Sequence, residues 1–143
     1  MKLYFDEDNG KGIPQSLKAV RAPADEIEYP RNSNHARQQL GTPDRIWLPW
    51  AGDNGYLVFS QNIHILENED EFNLLVAHRV GIVFMKNGSE RSWAVLRMIL
   101  NRWEWLREID AYEPRPFVFL VGLAGRPVRY ELHQGPRRPR SRR

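Results

Sequence analysis

Short apolar runs alternate along this chain with stretches in which apolar residues recur at helical spacing. Residues 1–5 form a β-favouring run, and residues 13–21 then place Ile13, Leu17 and Val20 on one helical face, with Pro14 suited to the first turn. A weaker strand is predicted around Ile27 and Tyr29. Residues 30–42 are polar and broken by Asn32, Asn34 and Gly41. Residues 44–51 read as a short helix burying Ile46, Trp47 and Trp50, which Pro49 is expected to limit to little more than a turn or to kink. A turn at Gly52-Asp53-Asn54-Gly55 leads into the strand 56–60, whose uniformly apolar character implies burial on both faces.

The second half continues the alternation. Phe72, Leu75 and Val76 fit a helix over 70–78, and 81–85 is another apolar strand. Ser89 suits an N-cap for one long helix over 90–109, with Trp93, Leu96, Ile99, Leu100, Trp103, Leu106 and Ile109 as its apolar stripe and its tryptophans in the core. Residues 116–123 and 127–132 read as strands joined by the turn Ala124-Gly125-Arg126. Fully apolar strands alternating with helices imply an α/β fold: a mostly parallel sheet between helical layers, with an antiparallel edge from the last pair.

The 143 residues suffice for one core. There is no cysteine, which excludes disulfides and thiolate metal sites, and no apolar run reaches the roughly 18 residues of a membrane span, so a cytoplasmic protein without membrane partners is expected. The net charge of +3 is uneven. Residues 135–143 hold five arginines and no acid, and without them 16 basic residues would face 18 acids. This Arg/Pro run is expected to be a disordered tail beyond a domain spanning 1–134, either merely solvated or adding a salt-sensitive attraction to nucleic acid.

The candidate chemistry is acidic. Asp6-Glu7-Asp8 closes the first strand, Asp44 opens the helix before the third, and Ser60-Gln61-Asn62 ends the third. Parallel strands deliver their carboxyl ends to one rim, where ligands bind. Oxygen ligands gathered there suit Mg²⁺ or Mn²⁺, ions that activate water against a phosphodiester. Asp6, Asp44, Asp8 and Asn62 are therefore the candidate metal ligands. Glu71 ranks above Glu7, Asp53, Glu67, Glu69 and Asp70 as a further acid, because it would open a helix near the same rim. Taken singly, these acids also fit a charged turn and a first-turn carboxylate favoured by the helix dipole. His35, His64, His78 and His133 lack zinc-ligand spacing, and only His64 falls beside the proposed rim. The chain has neither a complete phosphate-binding loop nor a serine nucleophile elbow.

Leu3-Tyr4-Phe5-Asp6, Gly10-Lys11, the segment Gly41-Thr42-Pro43-Asp44-Arg45-Ile46-Trp47, and Tyr56-Leu57-Val58-Phe59-Ser60-Gln61-Asn62 together resemble the PIN-like domain of VapC-type toxins; the likeness extends through Glu71 and Gly81-Ile82-Val83-Phe84. The resemblance implies a three-layer fold and a Mg²⁺-dependent endoribonuclease (Mn²⁺ being the alternative ion) paired with an antitoxin protein. Asp6 and Asp44 match the family's first two metal-binding acids. Asn62 stands where the family pattern has Asp, offering a neutral carbonyl in place of a charge. On this reading Asp6, Asp44 and Asn62 are catalytic, and Lys11, Arg45 and Ser60 meet the RNA substrate. The alternative is a catalytically weakened module of the same fold that binds a protein or nucleic-acid partner. Two copies could pair through exposed aromatics such as Trp50 and Tyr112.

Overall fold

Strands apolar at every position form where both faces of a sheet are covered. The computed structural model of the chain describes residues 1–6, 12–30, 41–85 and 92–139. Among these residues six strands, β1 (Lys2–Phe5), β2 (Glu26–Glu28), β3 (Leu57–Ser60), β4 (Gly81–Met85), β5 (Phe117–Val121) and β6 (Val128–Tyr130), make one sheet in the order β2-β1-β3-β4-β5-β6. All neighbours are parallel except β5 and β6, which form the expected antiparallel edge.

Among the described residues six α-helices accompany them: α1 (Gly12–Ala19), α2 (Asp44–Asp53), α3 (His64–Glu67), α4 (Glu69–Ala77), α5 (Ser92–Asn101) and α6 (Trp103–Tyr112). The period of two along the strands divides the core. Leu3, Phe5, Leu57, Phe59, Val83 and Met85 pack with residues of α1, α5 and α6. Tyr4, Val58, Ile82 and Phe84 face the other way, toward α2, α3 and α4. The result is the three-layer α/β arrangement expected from the alternation.

Several local expectations are corrected. Pro49 does not confine α2 to a turn: the helix runs ten residues. Trp47, Leu48, Trp50 and Ala51 are buried along it, and that burial offsets the missing amide donor. The single helix over 90–109 is two helices. Arg102 between them leaves helical geometry at φ −108°, ψ 15°, while its guanidinium donates to the Gly125 carbonyl in the β5–β6 turn at 2.9 Å. Trp103, Leu106 and Ile109 are core as expected, whereas Trp93 and Leu100 are exposed, as are Val20 and Ile46. Trp50 is buried against Tyr4 and Tyr56 and so is no surface aromatic; Tyr112 is exposed. The helix α3 has no counterpart among the predicted elements. Ser89, Asn32 and Asn34 lie outside the described residues.

Candidate active site at the carboxyl rim

The rim is assembled from β1 outward. Tyr4 points to the α2 side, and its ring meets Trp47 at 5.2 Å between centroids and Trp50 edge-on at 5.6 Å. This aromatic contact seats α2 on β1, two residues before Asp6. Beyond the paired residues Phe5 and Phe59, the Asp6 amide donates to the Phe59 carbonyl at 3.1 Å, which brings Asp6 alongside the end of β3.

Asp6 is 3% exposed, and a carboxylate buried to that degree needs compensating donors. Ser60, fully buried, supplies one: its Oγ donates to Asp6 Oδ2 at 2.9 Å and accepts from the Asn62 amide at 3.0 Å. The Asn62 side chain continues the path. Its Nδ2 donates to Asp44 Oδ2 at 3.2 Å, and its Oδ1 accepts from the His64 amide at 3.3 Å. The Trp47 indole donates to the other oxygen of Asp44 at 2.9 Å. Asp44 thus begins α2 without serving as its N-cap, which is Pro43, and its carboxylate is aimed by Trp47 and Asn62.

A third acid stands close. Asn68 caps α4 by accepting from the Glu71 amide at 3.0 Å, which places Glu71 in the first turn. Burial, followed by the negative charges of Asp44 and Asp70, holds the Glu71 carboxyl above its ordinary range; His64 opposes the shift. The influence of Asp44 on this group ties α4 electrostatically to the same rim.

The described residues therefore bring together Asp6, Ser60, Asn62 and Asp44, with Glu71 beside them. Arg45 is exposed in the first turn of α2, next to Asp44. Ser60 differs from its expected part: it is wholly enclosed and holds Asp6, so it orients an acid and is not exposed to a substrate. Asp53 lies at the far end of α2, where His78 Nδ1 meets its carboxylate at 2.9 Å. His64 is exposed beside the rim and pairs with Glu67 at 3.0 Å. Glu7, Asp8, Lys11 and His35 lie outside the described residues. Trp47, expected only as a core residue, is also a hydrogen-bond partner of Asp44. The signal was present, since a tryptophan three residues after an acid in a helix shares its face.

The donors at the rim are carboxylate, amide and hydroxyl oxygens, the set that hard divalent cations take. Among the described residues no group of three or more His, Cys, Asp and Glu side chains is arranged to hold a metal ion. Asn62 contributes a neutral amide at the end of β3, with its NH₂ turned to Asp44. No helix among the described residues is long and apolar enough to cross a membrane.

A family model described as "PIN like domain" matches residues 1–87, a span that holds β1 to β4 and every rim residue named above. Neither a curated protein nor a solved structure matches the chain.

Proposed function

This chain belongs to the family of PIN-like domains, a nuclease-type module, and from that premise we propose that it is a metal-dependent endoribonuclease acting as the toxin of a toxin–antitoxin pair. The observation that carries the reading is the hydrogen-bonded path from Asp6 through Ser60 and Asn62 to Asp44, which joins two acids 38 positions apart in sequence at one sheet edge.

Asp6 and Asp44 would hold Mg²⁺ or Mn²⁺, with Glu71 and the Asn62 amide beside them. Bound there, the ion supplies the positive charge that activates water and stabilises charge developing on a phosphate. The protein's own residues do the rest. Ser60 fixes Asp6 in a buried position, so little reorganisation is needed on binding. Trp47 orients Asp44, and Arg45 offers an exposed guanidinium to the RNA backbone. Lys11 and Asp8, close to Asp6 in sequence, belong to the same proposal. The antitoxin would be a protein that covers this rim.

One observation favours a second reading, a PIN-like module with weakened catalysis that retains partner binding. Asn62 directs an N–H donor, and not a carbonyl oxygen, at Asp44. A neutral amide in that orientation satisfies the acid without a cation. Cleavage of labelled single-stranded RNA in Mg²⁺ separates the two. Cleavage by the native chain that is lost in Asp44→Ala supports the nuclease; cleavage gained only in Asn62→Asp supports the weakened module and contradicts the nuclease.

A further inference from the structure

The end of the sheet opposite the acidic rim carries a cleft of its own. The last turns of α2 and α4 reach the amino ends of the strands there, and Arg115 lies two residues before β5. Between them opens a cleft of ≈ 460 Å³ lined by Gly52, Asp53, Ala77, His78, Arg79 and Arg115. That volume lies within the range of small-molecule sites, so a ligand larger than a bare anion fits. The C-terminal arginine run starts at the other end of the sheet. There the Arg137 amide donates to the Leu66 carbonyl of α3 at 2.9 Å, which ties down the described residues 135–139 of a segment expected to be disordered.

Arg115 is fixed from several sides. Its guanidinium donates to Asp110 Oδ1 at 2.8 Å and to the Asp110 carbonyl at 3.3 Å, and its central carbon lies 5.4 Å from the centroid of the Phe117 ring. A β-carbon at Gly81 would stand 2.9 Å from Arg115 Nε, so the missing side chain there admits the arginine. A guanidinium has five N–H groups, and only two of these are bonded here. Nε is buried with no hydrogen-bond partner among the described residues, and each terminal nitrogen keeps one further N–H. An arginine held on an aromatic ring with donors to spare is preorganised for an anion, because little rotamer freedom remains to be lost on binding.

Arg79 and His78 complete the polar lining. Arg79 follows α4 with φ +54°, at a position where glycine is the usual residue. Its side chain is exposed and pairs with no acid among the described residues. His78 Nδ1 meets Asp53 Oδ1 at 2.9 Å; a carboxylate only accepts, so Nδ1 is the donor and Nε2 stays unengaged. The lining therefore sets two guanidiniums against one carboxylate, and that carboxylate is turned to His78. The negative ends of the two helices are blunted as well. The amides of Asn54, Gly55 and Tyr56 close on the last carbonyls of α2, and those of His78, Arg79 and Val80 on the last carbonyls of α4.

We propose that this cleft binds the phosphate group of a small phosphomonoester, with Arg79 and Arg115 as forked donors and the His78 ring beside them. Such a group brings about two negative charges and three acceptor oxygens, which matches two guanidiniums where a single carboxylate does not. The remaining room takes the organic part of the ligand. The site stands apart from the ribonuclease reading, which concerns the opposite edge of the sheet.

The test titrates ribose 5-phosphate, and separately inorganic phosphate, into the full-length chain by calorimetry in EDTA, so that no divalent ion bridges an anion to the rim. Saturable binding is expected, tighter for ribose 5-phosphate because the cleft also takes the sugar. Arg79→Gln removes an exposed charge and is expected to weaken binding by about tenfold. Arg115→Lys keeps a charge for Asp110 but loses the fork, and it is expected to weaken binding too. No saturable binding of either probe overturns the site, as does an affinity unchanged in Arg79→Gln. Weakening by Arg45→Gln without weakening by Arg79→Gln would put the anion at the rim and overturn the cleft. Equal affinities for the two probes overturn the phosphomonoester in favour of free phosphate. RNA cleavage has no part in the readout, so failure of the nuclease reading leaves this result standing, and the converse holds.

Discussion

Asn62 donates its side-chain amide to Oδ2 of Asp44 at 3.2 Å, so the third position of the rim meets an acid as a hydrogen-bond donor. An aspartate there would face Asp44 as a second anion, and like charges at that range raise each other's pKa by a unit or more in the absence of a cation. Asn62→Asp is expected to lower stability at neutral pH by about 1–2 kcal/mol in EDTA. Millimolar Mg²⁺ should recover most of that loss. Denaturant titrations with and without the ion measure it, and a loss indifferent to Mg²⁺ would count against a cation site.

Ser60 links the two halves of the rim from a fully buried position, donating to Asp6 and accepting from the Asn62 amide. Ser60→Ala leaves both groups short of a partner. The expected cost is about 1–3 kcal/mol in urea denaturation, far above that of removing an exposed hydroxyl. A change within a few tenths of a kcal/mol would show that Asp6 does not depend on this bond.

Much of this arrangement is legible in the residues. The strands could be recognised because burial on both faces makes Tyr56-Leu57-Val58-Phe59 and Gly81-Ile82-Val83-Phe84 continuously apolar, and parallel pairing then sends Asp6 and Asn62 to one edge. What escaped depends on tertiary contacts. The apolar stripe continues from Ile99 through Trp103 to Ile109, and no glycine or proline marks the break at Arg102, whose guanidinium is engaged by the distant Gly125 carbonyl. Helical periodicity also gives no sign of where cover ends, so Val20 after α1 and Trp93 in α5 share the spacing of their core neighbours yet stand in solvent. The four residues of α3 carry no side-chain N-cap signal, since Ile63 occupies that position. Nothing in Ser60 itself distinguishes a residue that holds Asp6 from one that meets a substrate. The register of β1 on β3 decides it.

Glu71 gives the rim a pH signature. Burial first, then Asp44 and Asp70, raise its carboxyl above the ordinary glutamate value in the folded protein. A folded-state pKa above the unfolded one contributes stability that is fully present below the unfolded value and is lost as pH rises through the folded value. The variant Glu71→Gln cannot ionise. Its stability relative to the native chain should therefore be smallest near pH 4 and increase toward about pH 7, in metal-free buffer. Urea titrations across that range check this, and a constant or decreasing difference would contradict the crowding of Glu71 with Asp44.

Gly52 provides a substitution at the end of α2 remote from Asp44. A β-carbon there would stand 2.3 Å from the His78 carbonyl oxygen and 2.9 Å from a methyl of Val80, and the first of these is backbone. Gly52→Ala is expected to cost about 1–3 kcal/mol through forced movement of the chain entering β4. Cleavage per folded molecule should be unchanged, because no rim residue touches this contact. Thermal melts paired with activity measured well below the transition read both quantities.

The most direct test of the rim as a cation site is calorimetric titration of Mn²⁺ into the native chain and into Asp6→Asn and Asp44→Asn. The amide at residue 44 retains an oxygen for the Trp47 indole, and its NH₂ can pair with Asn62 once that side chain turns its own oxygen inward, while the charge is removed. The expected result is saturable binding to the native protein, weakened by more than about tenfold in each variant. No binding by the native chain, or equal binding by all three proteins, would contradict a metal held between Asp6 and Asp44.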